Sequence, residues 1–438
     1  MPHGIEISGE DCRGCVNCIK SCPTEAIRVI NGKVRILEER CIGCGECLRI
    51  CSHRAISLQE TDWDSISGIR PMAVVMDPAL FSQFPWPPNP AIMEEILRDM
   101  GFEPIVKECA LAFDLAAMAQ ARIMEAGESR EMPMISTYCP AVLRLVRMKF
   151  QELIPNLAPV ESPLETSVDL WKARNNKSRV QTALVASCPA RVAMVEDPVG
   201  REASSVDHVI STARLTREIL SKNRSLGEGI VKRPRDTRWM NWSASGGEIA
   251  HIRHFTEKPL KALAVSGMRN IIGVLQDIEL RRLKGVDFIE ARACSMGCIG
   301  GIANAESCYL SQVKIDNYGN SEPPSAEETA PLEELYDAGI WKLQYDITPI
   351  ESVPLGKNMA RAMEKLNEIQ SVYAELPHLD CGTCGRPTCR IMAEDIVRGE
   401  ASLDDCIFRL REKIGRLSGE IHDLSRRLVH TMTPEEKK

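Results

Sequence analysis

The 438-residue chain carries 18 cysteines, and their spacing says what chemistry they could do. Cys12, Cys15, Cys18 and Cys22, followed by Pro23, spell C-x2-C-x2-C-x3-C-P. Cys41, Cys44, Cys47 and Cys51 repeat that spacing with Ser52 in place of the proline. Three thiolates spaced in this way wrap one face of an iron–sulfur cubane, whereas a zinc knuckle would use paired C-x2-C units. Near the other end, Cys381, Cys384, Cys389 and Cys406 follow C-x2-C-x4-C-x16-C. Four thiolates there suit zinc or a cubane. Gly382 and Gly385 after the first two leave backbone amides free to hydrogen-bond sulfide, which favours iron–sulfur.

Six cysteines remain: Cys109, Cys139, Cys188, Cys294, Cys298 and Cys308. PMISTYCPAVLRLV around Cys139 and TALVASCPARVAMV around Cys188 share an apolar strand, Cys-Pro-Ala, then apolar residues at helical period. Proline suits the first helical position, so each cysteine is expected at an N-cap, its thiolate stabilised by the helix dipole. VDFIEARACSMGCIGG supplies Cys294 and Cys298 after a third strand-like run, with Gly297, Gly300 and Gly301 permitting close backbone approach. Together these four could ligate one cubane, the alternative being buried core thiols. Core packing is the expectation for Cys109 and Cys308, which lie outside every motif.

The elements that must position these residues alternate. MAVVMD, LKALAVSGM and VDFIEARA read as strands, and MEEILRDMGF and RNIIGVLQDIELRRL as helices, which predicts parallel sheets covered by helices. Motif cysteines then fall at the C-terminal ends of strands, where such sheets bind ligands. Segments 195–240 and 315–355 mix charge, proline and glycine without period and are expected to be surface connections. After Cys406, Ile407, Leu410, Ile414, Leu417, Ile421, Leu424 and Leu428 form a heptad stripe, expected either to pair two copies or a partner helix or to pack on its own domain.

The first two runs match the two-cluster ferredoxin arrangement, in which the fourth cysteine of each run ligates the other cluster. That implies Cys12, Cys15, Cys18 and Cys51 on one 4Fe-4S cluster, and Cys41, Cys44, Cys47 and Cys22 on the other. The C-terminal pattern resembles the small four-cysteine iron–sulfur domain of anaerobic electron-transfer proteins. The three central segments resemble the iron-iron (FeFe) hydrogenases, particularly their sensory or regulatory members, and FQELIPNLAPVESPLE is similar to the segment that follows the first motif there. The resemblance implies a ferredoxin-like domain over 1–60, a two-lobed α/β hydrogenase domain over 70–350, an iron–sulfur module over 375–408 and a helix over 409–438. This is a multidomain α/β and α+β chain. It further implies three accessory 4Fe-4S clusters and an H-cluster. Cys139, Cys188 and Cys294 would hold the H-cluster cubane, and Cys298 would bridge it to a diiron unit inserted by maturation proteins.

Departures bear on activity. Tyr138 stands where catalytic members have a proton-relaying cysteine, and a phenol titrating near about 10 relays protons poorly at neutral pH. Arg191 replaces the lysine that contacts a cyanide ligand, and Arg292 and Thr166 replace methionines. CSMGC stands where CPGGC is common. Tyr138, Arg191 and Arg292 are the residues expected around a diiron site, the arginines either binding anionic ligands or pairing with local carboxylates. Glu161, Glu165 and Glu290 are alternative proton carriers, or satisfied partners. The expected function is a slow or regulatory hydrogenase-like oxidoreductase of the ferredoxin hydrogenase type, coupled to a redox or signalling partner. A multi-cluster electron-transfer subunit without the diiron unit is the alternative, and a scaffolding subunit a third reading.

Composition narrows the remaining classes. A net charge of −7 and a pI near 5.8 argue against a nucleic-acid or anionic-membrane surface. No apolar run reaches the roughly 18 residues of a membrane span, and the opening residues lack a signal-peptide pattern, so the expected location is the cytoplasm. Thiols in such numbers there point to metal centres rather than disulfides.

Overall fold

The computed structural model describes residues 3–85, 90–127, 132–222, 237–318, 323–351 and 354–431. The chain is mixed α/β and divides into two compact units. One comprises Met1–Ser8 with Glu38–Glu351, the other Gly9–Leu37 with Ser352–Lys438. The ferredoxin-like segment 1–60 contributes to both.

The first unit contains two parallel sheets. Met72–Met76 (MAVVM) is buried at every position, as a strand covered on both faces must be. It lies between Glu103–Ile105 and Gln181–Ala186, with His208–Ser211 beyond, all parallel. Helices Lys107–Glu125 and Pro163–Asn175 pack against one another, and the second also packs on this sheet. The alanine-rich face of the first lets the backbones approach. The second sheet, Ala262–Ser266, Phe288–Arg292 and Met134–Ile135, is also parallel. Helix Met268–Glu279 buries Ile271, Leu275 and Ile278 against it at helical spacing. The expected strand–helix alternation is therefore realised.

The expected surface connections are more ordered than their composition suggested. Strand His208–Ser211 and helix Thr212–Lys222 lie in 195–240, and helix Ala326–Asp337 lies in 315–355. A reciprocal capping box between Ser325 and Glu328 starts that last helix, and Pro331 within it obscures its period. Residues 223–236, 319–322 and 352–353 lie outside the described residues.

In the second unit, strands Ile27–Ile30 and Lys33–Ile36 pair antiparallel around Asn31 and Gly32. These sit at φ 51° and 73°, the type I′ conformation that Asn-Gly favours. Helix Met359–Glu375 packs on Cys389–Arg398, and helix Ile407–Thr431 follows. Its stripe is exposed, Ile414 by 57% and Ile421 by 67%, so it does not pack on its own domain. The side chain of Leu428 and residues 432–438 lie outside the described residues.

Candidate metal centre

Three strand ends deliver the central thiols. Met134–Ile135 leads to Cys139 at the N-cap of helix Pro140–Lys149, and Gln181–Ala186 leads to Cys188 at the N-cap of Pro189–Glu196. Phe288–Arg292 runs directly into Ala293 and Cys294. Cys139, Cys188, Cys294 and Cys298 line one cavity with Arg191 and Arg292. Gly301 permits its tight wall, since a Cβ there would stand 2.3 Å from the Ser187 carbonyl oxygen, and at the adjacent Gly300 one would stand 2.1 Å from that of Ser295.

Both expected N-caps are present, but the Cys188 thiol is not poised as a free thiolate. Burial pushes the Cys188 thiol up to about 11 and Cys298 up to about 12, and Cys294 well above its ordinary value. Desolvation outweighs the helix N-terminus, so a bare thiol keeps its proton until a metal displaces it.

Cys44 lines the same cavity. Gly43 and Gly45 bring it there: a Cβ on Gly43 would lie 3.0 Å from Ala190 Cα, and one on Gly45 would lie 2.8 Å from Ile302 Cγ2. Arg49 Nη2 donates to the Gly300 carbonyl at 2.8 Å. The run Cys41, Cys44, Cys47 and Cys51 thus adjoins the central quartet within the first unit. Cys12, Cys15, Cys18 and Cys22 lie in the second unit, with Cys12 and Cys18 buried and Cys15 exposed.

Tyr138, Arg191 and Arg292 come together beside Cys298. The two guanidiniums lie over the Tyr138 ring, 4.4 and 4.5 Å from its centre, and the edges of Phe113 and Trp242 complete the packing. Arg191 Nη2 is 3.9 Å from Cys298 Sγ. Burial pushes the phenol well above its ordinary value, so it stays protonated. Its hydroxyl is buried and has no hydrogen-bond partner among the described residues.

Both arginines pair with carboxylates that the sequence reading missed. Arg191 Nε is 2.6 Å from Asp77 Oδ2. Arg292 Nη2 donates at 2.8 Å to Glu248, which also accepts from Ser136 and Gln120. Asp77 had a signal: MAVVMDPAL places Asp-Pro-Ala after a strand, as the other two segments place Cys-Pro-Ala. Glu290 accepts from the Gly246 and Ile249 amides, and burial raises it to about 6. Glu161 and Glu165 face Arg201 at 3.8 and 3.1 Å. All three glutamates are satisfied partners. Cys109 is fully buried and donates to the Ile105 carbonyl; Cys308 begins helix Cys308–Tyr318 and packs against a small apolar cluster.

Cys381, Cys384, Cys389 and Cys406 line a second cavity, with Arg386 in its wall. Among the described residues no group of three or more His, Cys, Asp or Glu side chains is placed to hold a single metal ion. Four thiols lining one cavity are a donor set that a cubane takes, centrally and in the C-terminal module. Arg191, stacked with Arg292 on Tyr138, faces Cys298, the thiol that would carry a diiron unit.

A chain that gathers cysteine runs and a cysteine quartet at parallel strand ends is an iron–sulfur protein of the hydrogenase type. The model of the iron only hydrogenase large subunit, C-terminal domain, matches residues 71–250 and 232–302, over half of the chain, and the chain belongs to this family. A 4Fe-4S dicluster domain matches residues 4–52, and a putative Fe-S cluster domain matches 376–408. Two variants of the FeFe-hydrogenase HydA1 from Chlamydomonas reinhardtii are similar in structure. Each is 16% identical with a TM-score of 0.48; they cover 64% and 66% of this chain, and 95% and 96% of their own. The corrinoid/iron-sulfur protein large subunit of Moorella thermoacetica is 49% identical over 35 residues, 8% of each chain. No helix among the described residues is long and apolar enough to cross a membrane.

Proposed function

We propose that this protein carries electrons through 4Fe-4S cubanes and uses its hydrogenase-type site to hold a cubane without a diiron unit. The observation that carries this reading is the Arg191, Tyr138 and Arg292 stack beside Cys298. Each buried cation–π contact stabilises it by about 2 kcal/mol. Both guanidiniums are also tied to buried carboxylates, so admitting a diiron unit would strand charges in a dry interior. A bound cubane supplies one-electron storage and release. The residues of this chain do the rest. Cys139, Cys188, Cys294 and Cys298 hold it, Gly301 lets the wall close in against the Ser187 carbonyl, and Cys44 brings the neighbouring run to that wall.

A second reading, slow or regulatory hydrogen chemistry, draws support from the unpartnered Tyr138 hydroxyl, a polar atom suited to an added ligand. Iron content and infrared spectra of protein exposed to maturation machinery separate the two. About 16 irons per chain and no CO or cyanide bands support the cubane reading. About two further irons with bands that change under hydrogen overturn it. The exposed stripe of helix Ile407–Thr431 is the surface we assign to a second copy of the chain, and a redox protein is the external electron partner.

A further inference from the structure

The second unit contains a buried charge network that cluster ligation alone does not require. Arg28, 1% exposed on strand Ile27–Ile30, reaches Asp395 of helix Cys389–Arg398, with Nε 2.6 Å from Oδ2 and Nη2 3.1 Å from Oδ1. Arg386 Nε approaches the same carboxylate at 3.3 Å, while its Nη1 donates to the Cys384 carbonyl at 2.8 Å. One carboxylate therefore joins the strand after the first cysteine run to the loop that carries Cys384. Beside it, the Val29 amide donates to the Gly385 carbonyl at 2.9 Å. Gly385 sits at φ +78°, and a Cβ on it would stand 1.9 Å from the Val29 oxygen, so no other residue fits. On the cluster side, a Cβ on Gly382 would lie 3.3 Å from Ile19 and 3.2 Å from Lys20, the residues that follow Cys18. The side-chain ends of Ile19 and Lys20 thus reach the Gly382 backbone beside Cys381, where a larger residue would crowd them.

Burying ions costs desolvation energy, and the best-attested use of such a network is to fix a register. Here the register is that of two cluster-binding loops, and electron exchange falls off steeply with separation. We propose that the cluster of Cys381, Cys384, Cys389 and Cys406 exchanges electrons directly with the cluster of Cys12, Cys15 and Cys18, with Asp395 as the positioning residue that locks them together. This rests on the electron-transfer reading above. One electron leaves one cluster as the other gains it, no bond or proton moves, and an external low-potential one-electron donor supplies it.

The test uses the full chain reconstituted with iron and sulfide and reduced with dithionite. A Cys384→Ala variant lacks the module's cluster, so its EPR spectrum subtracted from wild type isolates that cluster in place. The expected difference spectrum is broadened by spin coupling and relaxes fast. In Gly385→Leu, and in the milder Asp395→Asn should the first fail to fold, it becomes a sharp, slowly relaxing signal with unchanged iron. Hydrogen exchange at the Val29 amide, which the module protects, rises by about tenfold or more in the same variants. An unchanged difference spectrum despite faster Val29 exchange overturns direct exchange, and unchanged Val29 exchange overturns the lock. If Cys384→Ala retains the iron of wild type, the reading of the module as a cluster site fails instead.

Discussion

Asp77 and Arg191 form an ion pair, 2.6 Å from Oδ2 to Nε, with side chains 0% and 2% exposed. Asp77 is held from other directions as well: it accepts from the Ser187 hydroxyl at 2.7 Å and the Ala79 amide at 2.9 Å. Replacing it by asparagine leaves a guanidinium buried without its counter-ion. Asp77→Asn is expected to lower stability by about 3–5 kcal/mol, read from urea unfolding of the iron-free chain. A loss below about 1 kcal/mol would mean that Arg191 is neutralised by another group.

The unpartnered Tyr138 hydroxyl separates the two functional readings. In the iron-free chain, Tyr138→Phe removes a desolvated donor that bonds to nothing, and the unfolding free energy is expected to rise by about 1 kcal/mol. If the hydroxyl bonds to a ligand in the loaded protein, that gain reverses there. The same pair of unfolding curves, with and without metal, reads both.

Gly301→Ala places a methyl group 2.3 Å from the Ser187 carbonyl. The central quartet is expected to lose its cubane, about four irons per chain, while the other sites keep theirs. Iron analysis with the protein concentration fixed independently checks this.

Much of the site was legible because its ligands are local. The three cysteine runs, the repeated Cys-Pro-Ala turns and the strand that leads to Cys294 are patterns within short windows, and the fold places Cys139, Cys188 and Cys294 after parallel strands as expected. The charge partners were not legible for the opposite reason. Arg28 and Asp395 are 367 positions apart, and Arg292 reaches Glu248 across 44, so no window contains both members. Asp77 alone left a trace, in its Asp-Pro-Ala. The helix-dipole expectation identified both caps, Cys139 and Cys188, but misjudged the Cys188 thiol, because burial depth is a tertiary property.

Stability is expected to depend on pH through Glu161, which burial, against the pull of Arg201, raises to about 7. A carboxyl whose folded value exceeds its unfolded value binds more protons when folded. Its contribution is full below about 4.5 and is lost as pH rises through about 7, on the order of 3 kcal/mol. Glu161→Gln should flatten the unfolding free energy between those limits, and a slope that persists would assign it to Glu165, also raised and facing the same arginine.

The exposed stripe on helix Ile407–Thr431 gives a prediction about mass. Light scattering of the full chain is expected to give a dimer, and deletion of 410–438 a monomer. An unchanged mass on deletion would refute pairing through this helix.

The glycines flanking Cys44 bear on modularity. Because Gly43 and Gly45 lie against Ala190 and Ile302, and Cys44 faces the central cavity, the second cysteine run is a piece of that cavity's masonry as well as a cluster binder. A cut near residue 60, natural as it is from the motifs, would remove a wall from the central site. The hydrogenase-type region expressed by itself would present its quartet to water and oxygen, and a chimaera that exchanged residues 1–60 would have to restore a glycine-flanked cysteine at this position. The redox domains of this chain are therefore not interchangeable cassettes.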